Sequence, residues 1–242
     1  MVTNVYIDGF NLYYRALKGK QGRRWLDLRA LCELCLPNDS VGRIRYFTAK
    51  VSSRRPGDHD PQLQDVYLRA LSSVTNLEIH YGHYMSSIRS MKCAEPPPEY
   101  VKVLRSEEKG SDVNLASFLL LDAFKGEADT FVVISNDTDL VEPLRMVRWE
   151  LGKHTGALYP SQKASGSLRK AEPSFARRIN PGQLSRSQLP NSVQLNDGTV
   201  VTKPRVGSRL LVFLCRYGGM RESLAYLQLL NRFLSRVGLE PR

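Results

Sequence analysis

Four aspartates in the first 140 residues stand where acids could do metal and phosphate chemistry. They are Asp8 in YIDGFN, Asp112 in EKGSDVN, and Asp137 and Asp139 in VVISNDTD. Each follows or closes a run of strand-forming residues. If those runs belong to one parallel sheet, the acids gather at the C-terminal edge of the strands, where ligands of open α/β sheets bind. Carboxylates gathered in this way repel one another unless a cation neutralises them. Oxygen donors without a matching His/Cys set select Mg²⁺ or Mn²⁺. Such an ion can generate hydroxide from bound water and stabilise the leaving oxygen of a phosphodiester. Taken singly, each acid has a plainer reading. Asp8-Gly9 reads as a turn, Asp112 as a helix cap, and Asp137-Thr138-Asp139 as a cap and dipole partner. Their joint placement on one expected edge is what points to chemistry.

The elements that must position these acids alternate. Strand patterns are expected over residues 3–7, 42–51, 77–85, 100–105, 130–135 and 154–159. Helical spacing covers 11–17, 27–36 with Asp27 as N-cap, 61–74, 112–124 and 140–151. Residues 86–98, with three consecutive prolines, read as irregular. Strands alternating with helices across short loops predict an α/β fold: a doubly wound, mainly parallel sheet with helices on both faces. This domain is expected over residues 1–184, followed by a basic C-terminal extension over 185–242. The extension opens on a hairpin signal at 193–203, with Asn196-Asp197-Gly198 as the turn. Helical spacing at 210–234, interrupted by Gly218-Gly219, predicts two further helices whose role is open between RNA clamping and a homodimer contact.

The residues reach a known family at this point. Asp8-Gly-Phe-Asn11, then Glu108-Lys-Gly-Ser-Asp112-Val-Asn-Leu-Ala, then Ser135-Asn-Asp137-Thr-Asp139-Leu resemble the three motifs of NYN domains in the PIN-like nuclease superfamily, and the bacterial LabA-like branch looks most similar. The resemblance spans about residues 2–180. It implies a doubly wound fold, a Mg²⁺ or Mn²⁺ site and hydrolysis of single-stranded or flexible RNA. Carried over by position, Asp8, Asp112, Asp137 and Asp139 are the expected metal ligands. Asn11 would bond an acid or the substrate phosphate, and Ser135 and Asn136 would shape the turn presenting Asp137. Lys109 would lie near the substrate backbone. Two departures stand out. An acid often found on the following helix, about six residues past the position of Asp112, is Phe118 here, with Asp122 one turn further on. Asn136 replaces the glycine of the third motif, the best non-glycine choice if that turn needs positive φ.

Charge points the same way. The net charge is +11, and residues 160–242 hold 14 Lys/Arg against 4 Asp/Glu, which suits a polyanionic partner. Arg15, Lys18, Lys20, Arg23 and Arg24 form a basic cluster after the first motif, interleaved with Tyr13, Tyr14 and Trp25 as a stacking platform would require. Arg43, Arg45, Lys50, Arg54 and Arg55 form a second. Cys32 and Cys35 make a C-x-x-C on an apolar helical face, with no second pair at zinc spacing, and read as core. His80 and His83 would point to opposite strand faces. No dinucleotide or P-loop motif occurs, and no apolar run is long enough for a membrane helix. The immediate strand pattern at the N-terminus and irregular cysteines predict a cytoplasmic protein. The expected activity is a divalent-metal endoribonuclease. The rivals are a catalytically weak or inactive RNA-binding regulator and, more distantly, a metal-dependent phosphatase.

Overall fold

The strands take the order β3-β2-β1-β6-β7-β8 in one six-stranded parallel sheet. These are β1 (Val2–Asp8), β2 (Ser40–Thr48), β3 (Leu77–Tyr81), β6 (Thr130–Ile134), β7 (His154–Tyr159) and β8 (Phe175–Arg178). A computed structural model describes residues 1–20, 22–53, 57–95, 97–163 and 165–204. The chain winds outward from β1 in one direction through β2 and β3, and in the other through β6, β7 and β8. The order reverses between β1 and β6, so a crevice opens outside the C-terminal ends of those two strands.

Alternation along β1 builds two cores. Val5 and Ile7 face one side and pack with Leu12, Trp25, Leu28, Leu31 and Cys32, contributed by α1 (Gly9–Leu12) and α2 (Leu28–Cys35) and the loop between them. Tyr6 faces the other, against Leu115, Leu119, Phe131 and Leu144. Those partners come from β6, α4 (Ser111–Lys125) and α5 (Val141–Arg145). The helix after β1 starts at Gly9 and widens into a π-helical turn over Tyr13–Leu17. Asp27 caps α2, its carboxylate accepting from the Arg29 and Ala30 amides. The remaining helices are α3 (Asp60–Leu71), α6 (Gly166–Lys170) and α7 (Pro181–Arg186).

The expected strand over 77–85 divides. β3 stops at Tyr81, and β4 (His83–Lys92) leaves the sheet to pair with β5 (Tyr100–Lys109) in an antiparallel ribbon ten residues long. Gly82 sits at the division because a Cβ there would lie 2.7 Å from the Lys109 carbonyl and 3.0 Å from the Ser111 amide. Residues 86–92 are therefore strand, and β5 continues past residue 105. The ribbon has no inside and outside, so it carries no alternation to read.

The hairpin β9 (Ser192–Gln194) and β10 (Val200–Thr202) forms where expected and presses Val193 and Val201 into the first core. The expected boundary at 184/185 falls inside α7, and one compact unit runs from Met1 to Lys203. The helices expected over 210–234 lie outside the described residues. Among those described, no helix is long and apolar enough to cross a membrane.

Candidate active site

The three acidic motifs meet at the β1/β6 crevice. Asp8 ends β1 and caps α1: its Oδ1 accepts from the Asn11 amide at 2.9 Å. Its Oδ2 accepts from the Ser135 hydroxyl at 2.8 Å. The same Ser135 Oγ accepts from the Asp137 amide at 3.0 Å, so one buried hydroxyl joins the first and third motifs. Asn11 Oδ1 accepts from the Asn136 amide at 3.1 Å, a second tie between them. Asp137 Oδ1 accepts from the Asp139 amide at 3.1 Å, which curls the turn after β6.

Gly9 has a steric duty here. A Cβ at that position would fall 2.7 Å from both the Phe47 carbonyl and the Tyr46 ring on β2. Gly9→Ala is expected to push α1 from β2, costing about 1–3 kcal/mol and displacing Asp8. Thermal denaturation and any activity of the site should both fall; an unchanged melting temperature would mean that this close approach is not required.

Asp112 reaches the cluster from α4. Its carboxyl is pushed up to about 6, first by burial and then by the charges of Asp8, Asp137, Glu108 and Asp139. That electrostatic contact ties all three motifs to one site. Burial likewise raises Asp8, opposed by its bonds from Asn11 and Ser135. Asp112 is not the helix cap. Glu108 holds the first turn instead, its Oε1 accepting from the Ser111 amide at 3.1 Å and its Oε2 from the Ser111 hydroxyl at 2.7 Å. Glu108 is a member of this site for which the sequence reading had no role, because E-x-x-S runs opposite to the S-x-x-E order of a capping box and gives no local signal.

Asn136 needs no left-handed backbone: the non-glycine residues at positive φ among those described are Asn76 and Glu172. Its side chain instead laces the turn to the loop after β7, accepting from the Ser165 amide at 2.7 Å and donating to the Lys163 carbonyl at 3.4 Å. Lys109 ends β5 and pairs with Glu107 at 3.3 Å. Arg15, Lys18, Arg23 and Arg24 lie on the turn and loop that carry the chain from α1 back towards the opposite sheet edge, as a parallel crossover requires. Lys18 sits 4.7 Å from the Tyr14 ring centre and Arg24 6.0 Å from that of Tyr13. The expected stacking role of Trp25 does not hold, because its ring is buried and its Nε1 donates to the Pro190 carbonyl at 2.7 Å.

Two members of the second basic cluster, Arg43 and Arg45, are consumed by structure. Arg45 donates to Asp122 through Nε at 2.8 Å and Nη2 at 3.2 Å, and it also pairs with Glu78. Arg43 pairs with Glu78 at 3.3 Å and with Glu127. Asp122 is fully buried and accepts a further bond from Tyr6 Oη at 2.7 Å, so it cannot stand in for the acid absent at Phe118. Phe118 packs beside the His80 ring at 4.3 Å, under the Arg45 guanidinium at 4.5 Å. Arg54 and Arg55 lie outside the described residues. Cys32 and Cys35 are buried, unbridged core thiols.

The donors suit a hard divalent cation. They are carboxylate oxygens whose mutual repulsion a cation would relieve. Among the described residues no three acidic, His or Cys side chains converge closely enough to ligate an ion together. Mg²⁺, which keeps several waters and needs only one or two carboxylates, fits that spacing better than a tight protein cage would.

Comparison with known proteins places these features. The NYN domain family matches residues 2–178, without singling out a branch. The 6-hydroxy-3-succinoylpyridine 3-monooxygenase HspA of Pseudomonas putida (strain DSM 28022 / S16) is 33% identical, over 79% of this chain and 71% of that protein. A crystal structure of a protein of unknown function from Vibrio parahaemolyticus RIMD 2210633 aligns at a TM-score of 0.47. It shares 14% identity, over 74% of this chain and 93% of that one.

Proposed function

Because this chain belongs to the NYN domain family, a family of the PIN-like nuclease fold, we propose that it is a divalent-metal-dependent endoribonuclease that hydrolyses single-stranded or flexible RNA. The observation that carries this reading is the junction of Asp8 with Asp137 through the buried Ser135 hydroxyl at the β1/β6 switch point. Asp8 and Asp137 are held in register by Ser135, and Asp112, in the first turn of α4, has its pKa raised by burial and then by their charges. A Mg²⁺ or Mn²⁺ ion held by one or two of these carboxylates, with waters completing its shell, would supply Lewis acidity and a bound water more acidic than bulk water. The protein's own part is to orient its carboxylates, through Asn11, Ser135 and the Asp137–Asp139 turn, and to hold the RNA backbone in line for attack. The positive charge of residues 160–242 suits the phosphate backbone.

The test is cleavage of a mixed-sequence single-stranded RNA in Mn²⁺, Mg²⁺ and EDTA. Cleavage lost in EDTA and restored by excess metal is the expected result. Binding without cleavage in every metal would favour a non-catalytic regulator, the reading that Phe118 at the customary acid position supports. A small phosphomonoester turned over in preference to RNA would mark a phosphatase.

A second reading rests on the Pseudomonas putida relative, named as a monooxygenase and similar over most of both chains. Substrate-dependent oxygen uptake with 6-hydroxy-3-succinoylpyridine and an electron donor, alongside inert RNA, would replace the hydrolytic reading with an oxidative one.

A further inference from the structure

The β4–β5 ribbon is inserted between β3 and α4, and its base is part of the acidic site. Residues directly opposed in an antiparallel pair share a face. Tyr84 opposes Glu108, Ser86 opposes Ser106, Ile88 opposes Leu104, and Lys92 opposes Tyr100. The Ser86 and Ser106 hydroxyls meet at 3.1 Å, as this register requires. One face therefore begins at Glu108, which accepts from Ser111 next to Asp112, and at Tyr84, whose ring meets that of Phe10 edge-on at 6.1 Å. From there it runs outward for eight residues of β5, about 27 Å at the rise of an antiparallel strand.

The chemistry of that face is unlike that of a sheet waiting for a core. Ile88 and Leu104 are 71% and 75% exposed, and Tyr100 is also exposed. Over 85–92 and 100–106 the two strands contain Arg89, Lys92, Lys102 and Arg105 and no acid. The cations divide by face. Arg105 lies on the opposite face and is paired with Glu107. Lys92 and Lys102 share the face that leads from the acids, and among the described residues neither is paired with a carboxylate. An exposed aromatic ring and aliphatic side chains beside unneutralised ammonium groups match the bases and phosphates of an unpaired polynucleotide.

We propose that this face of the ribbon is the track along which single-stranded RNA enters the acidic site. Lys92 and Lys102 bind phosphates, and Ile88, Leu104 and Tyr100 support bases. The assignment rests on the RNA-hydrolase reading and names the surface that delivers its substrate. It also explains a long ribbon with no core of its own: the ligand covers it.

The test uses the full chain, a 12-nucleotide mixed-sequence single-stranded RNA, EDTA to prevent cleavage, and fluorescence anisotropy over a salt series. Lys92→Glu with Lys102→Glu should weaken binding at least tenfold and flatten the salt dependence by a slope of about 1.4, the share of two phosphate contacts. Arg89→Glu with Arg105→Glu, on the other face, should change affinity less than twofold. Equal losses from the two faces, or none from the first, overturn the proposal. So does a dimer dissociated by Ile88→Ser with Leu104→Ser at unchanged RNA affinity, since the occupant would then be a second copy. Wild-type cleavage in Mn²⁺ is measured in parallel. Cleavage with face-insensitive binding sinks the track alone, whereas face-sensitive binding without cleavage sinks the hydrolase and keeps the track.

Discussion

Asp112→Asn is expected to lower metal-dependent RNA cleavage about a thousandfold, roughly 4 kcal/mol of transition-state stabilisation, while making the metal-free protein more stable. Both effects have one cause. The Asp112 carboxyl titrates at about 6 because burial and the charges of Asp8, Asp137, Glu108 and Asp139 disfavour its ionised form. A folded-state pKa above the ordinary 3.8 of an aspartate means that the folded chain holds this proton more tightly than the unfolded one. Its contribution to stability is thus fully present below pH ~4 and is lost as pH rises through ~6. At full burial the shift would be worth ~3 kcal/mol; solvent at this half-buried site brings it to about 1–2 kcal/mol.

In EDTA at pH 7.5, the Asn variant should therefore melt several degrees above wild type. The difference should vanish near pH 4. Wild-type protein should recover the deficit on adding Mn²⁺, and the variant should recover little. An Asn variant that melts lower than wild type in EDTA, or cleaves normally, would remove Asp112 from the site.

Ten residues further along the same helix, Asp122→Ala is expected to do the reverse. It should destabilise the fold by about 3–5 kcal/mol, because Arg45 would keep a buried charge without its bidentate partner. Tyr6 would also lose its acceptor, although Tyr6→Phe alone should cost only ~1 kcal/mol. Urea denaturation reads both. A loss below 1 kcal/mol in Asp122→Ala would mean that Glu78, which also pairs with Arg45, carries the network by itself. The metal requirement for cleavage should be unaltered in whatever fraction of the variant is folded. The two aspartates thus part company by environment. One faces like charges at the sheet edge; the other is closed in with a guanidinium and a phenol.

That contrast bounds what could be read from residues alone. The parallel α/β architecture was legible because β1, β6 and β7 are short apolar runs punctuated by helices, and local pattern decides such elements. The meeting of Asp8 with Asp137 was also legible, because β1 and β6 are neighbouring parallel strands whose ends share an edge; Asp112 follows β5, which lies outside that sheet, so the edge rule did not place it. Asp27 and the hairpin turn at Asn196–Gly198 followed from local hydrogen-bonding rules.

Other features depended on contacts between residues far apart in the chain, which no local pattern encodes. Trp25 looked like a stacking aromatic and became core when the chain around Pro190 supplied an acceptor 165 residues away. Arg43 and Arg45 looked like a nucleic-acid patch until Glu78, Asp122 and Glu127 arrived from three other elements. Glu108 acquired its place through the turn it closes at Ser111. The ribbon was read only in part, as strand to residue 85 and over 100–105, for a different reason: with both faces exposed, it lacks the alternation that burial imposes on a sequence. Periodicity reports which side of an element meets a core, so the sequence alone determined five strands of the sheet, but not β8 and not that the strand read at 100–105 lies outside it. Only the tertiary structure decided which charges were left to face a ligand.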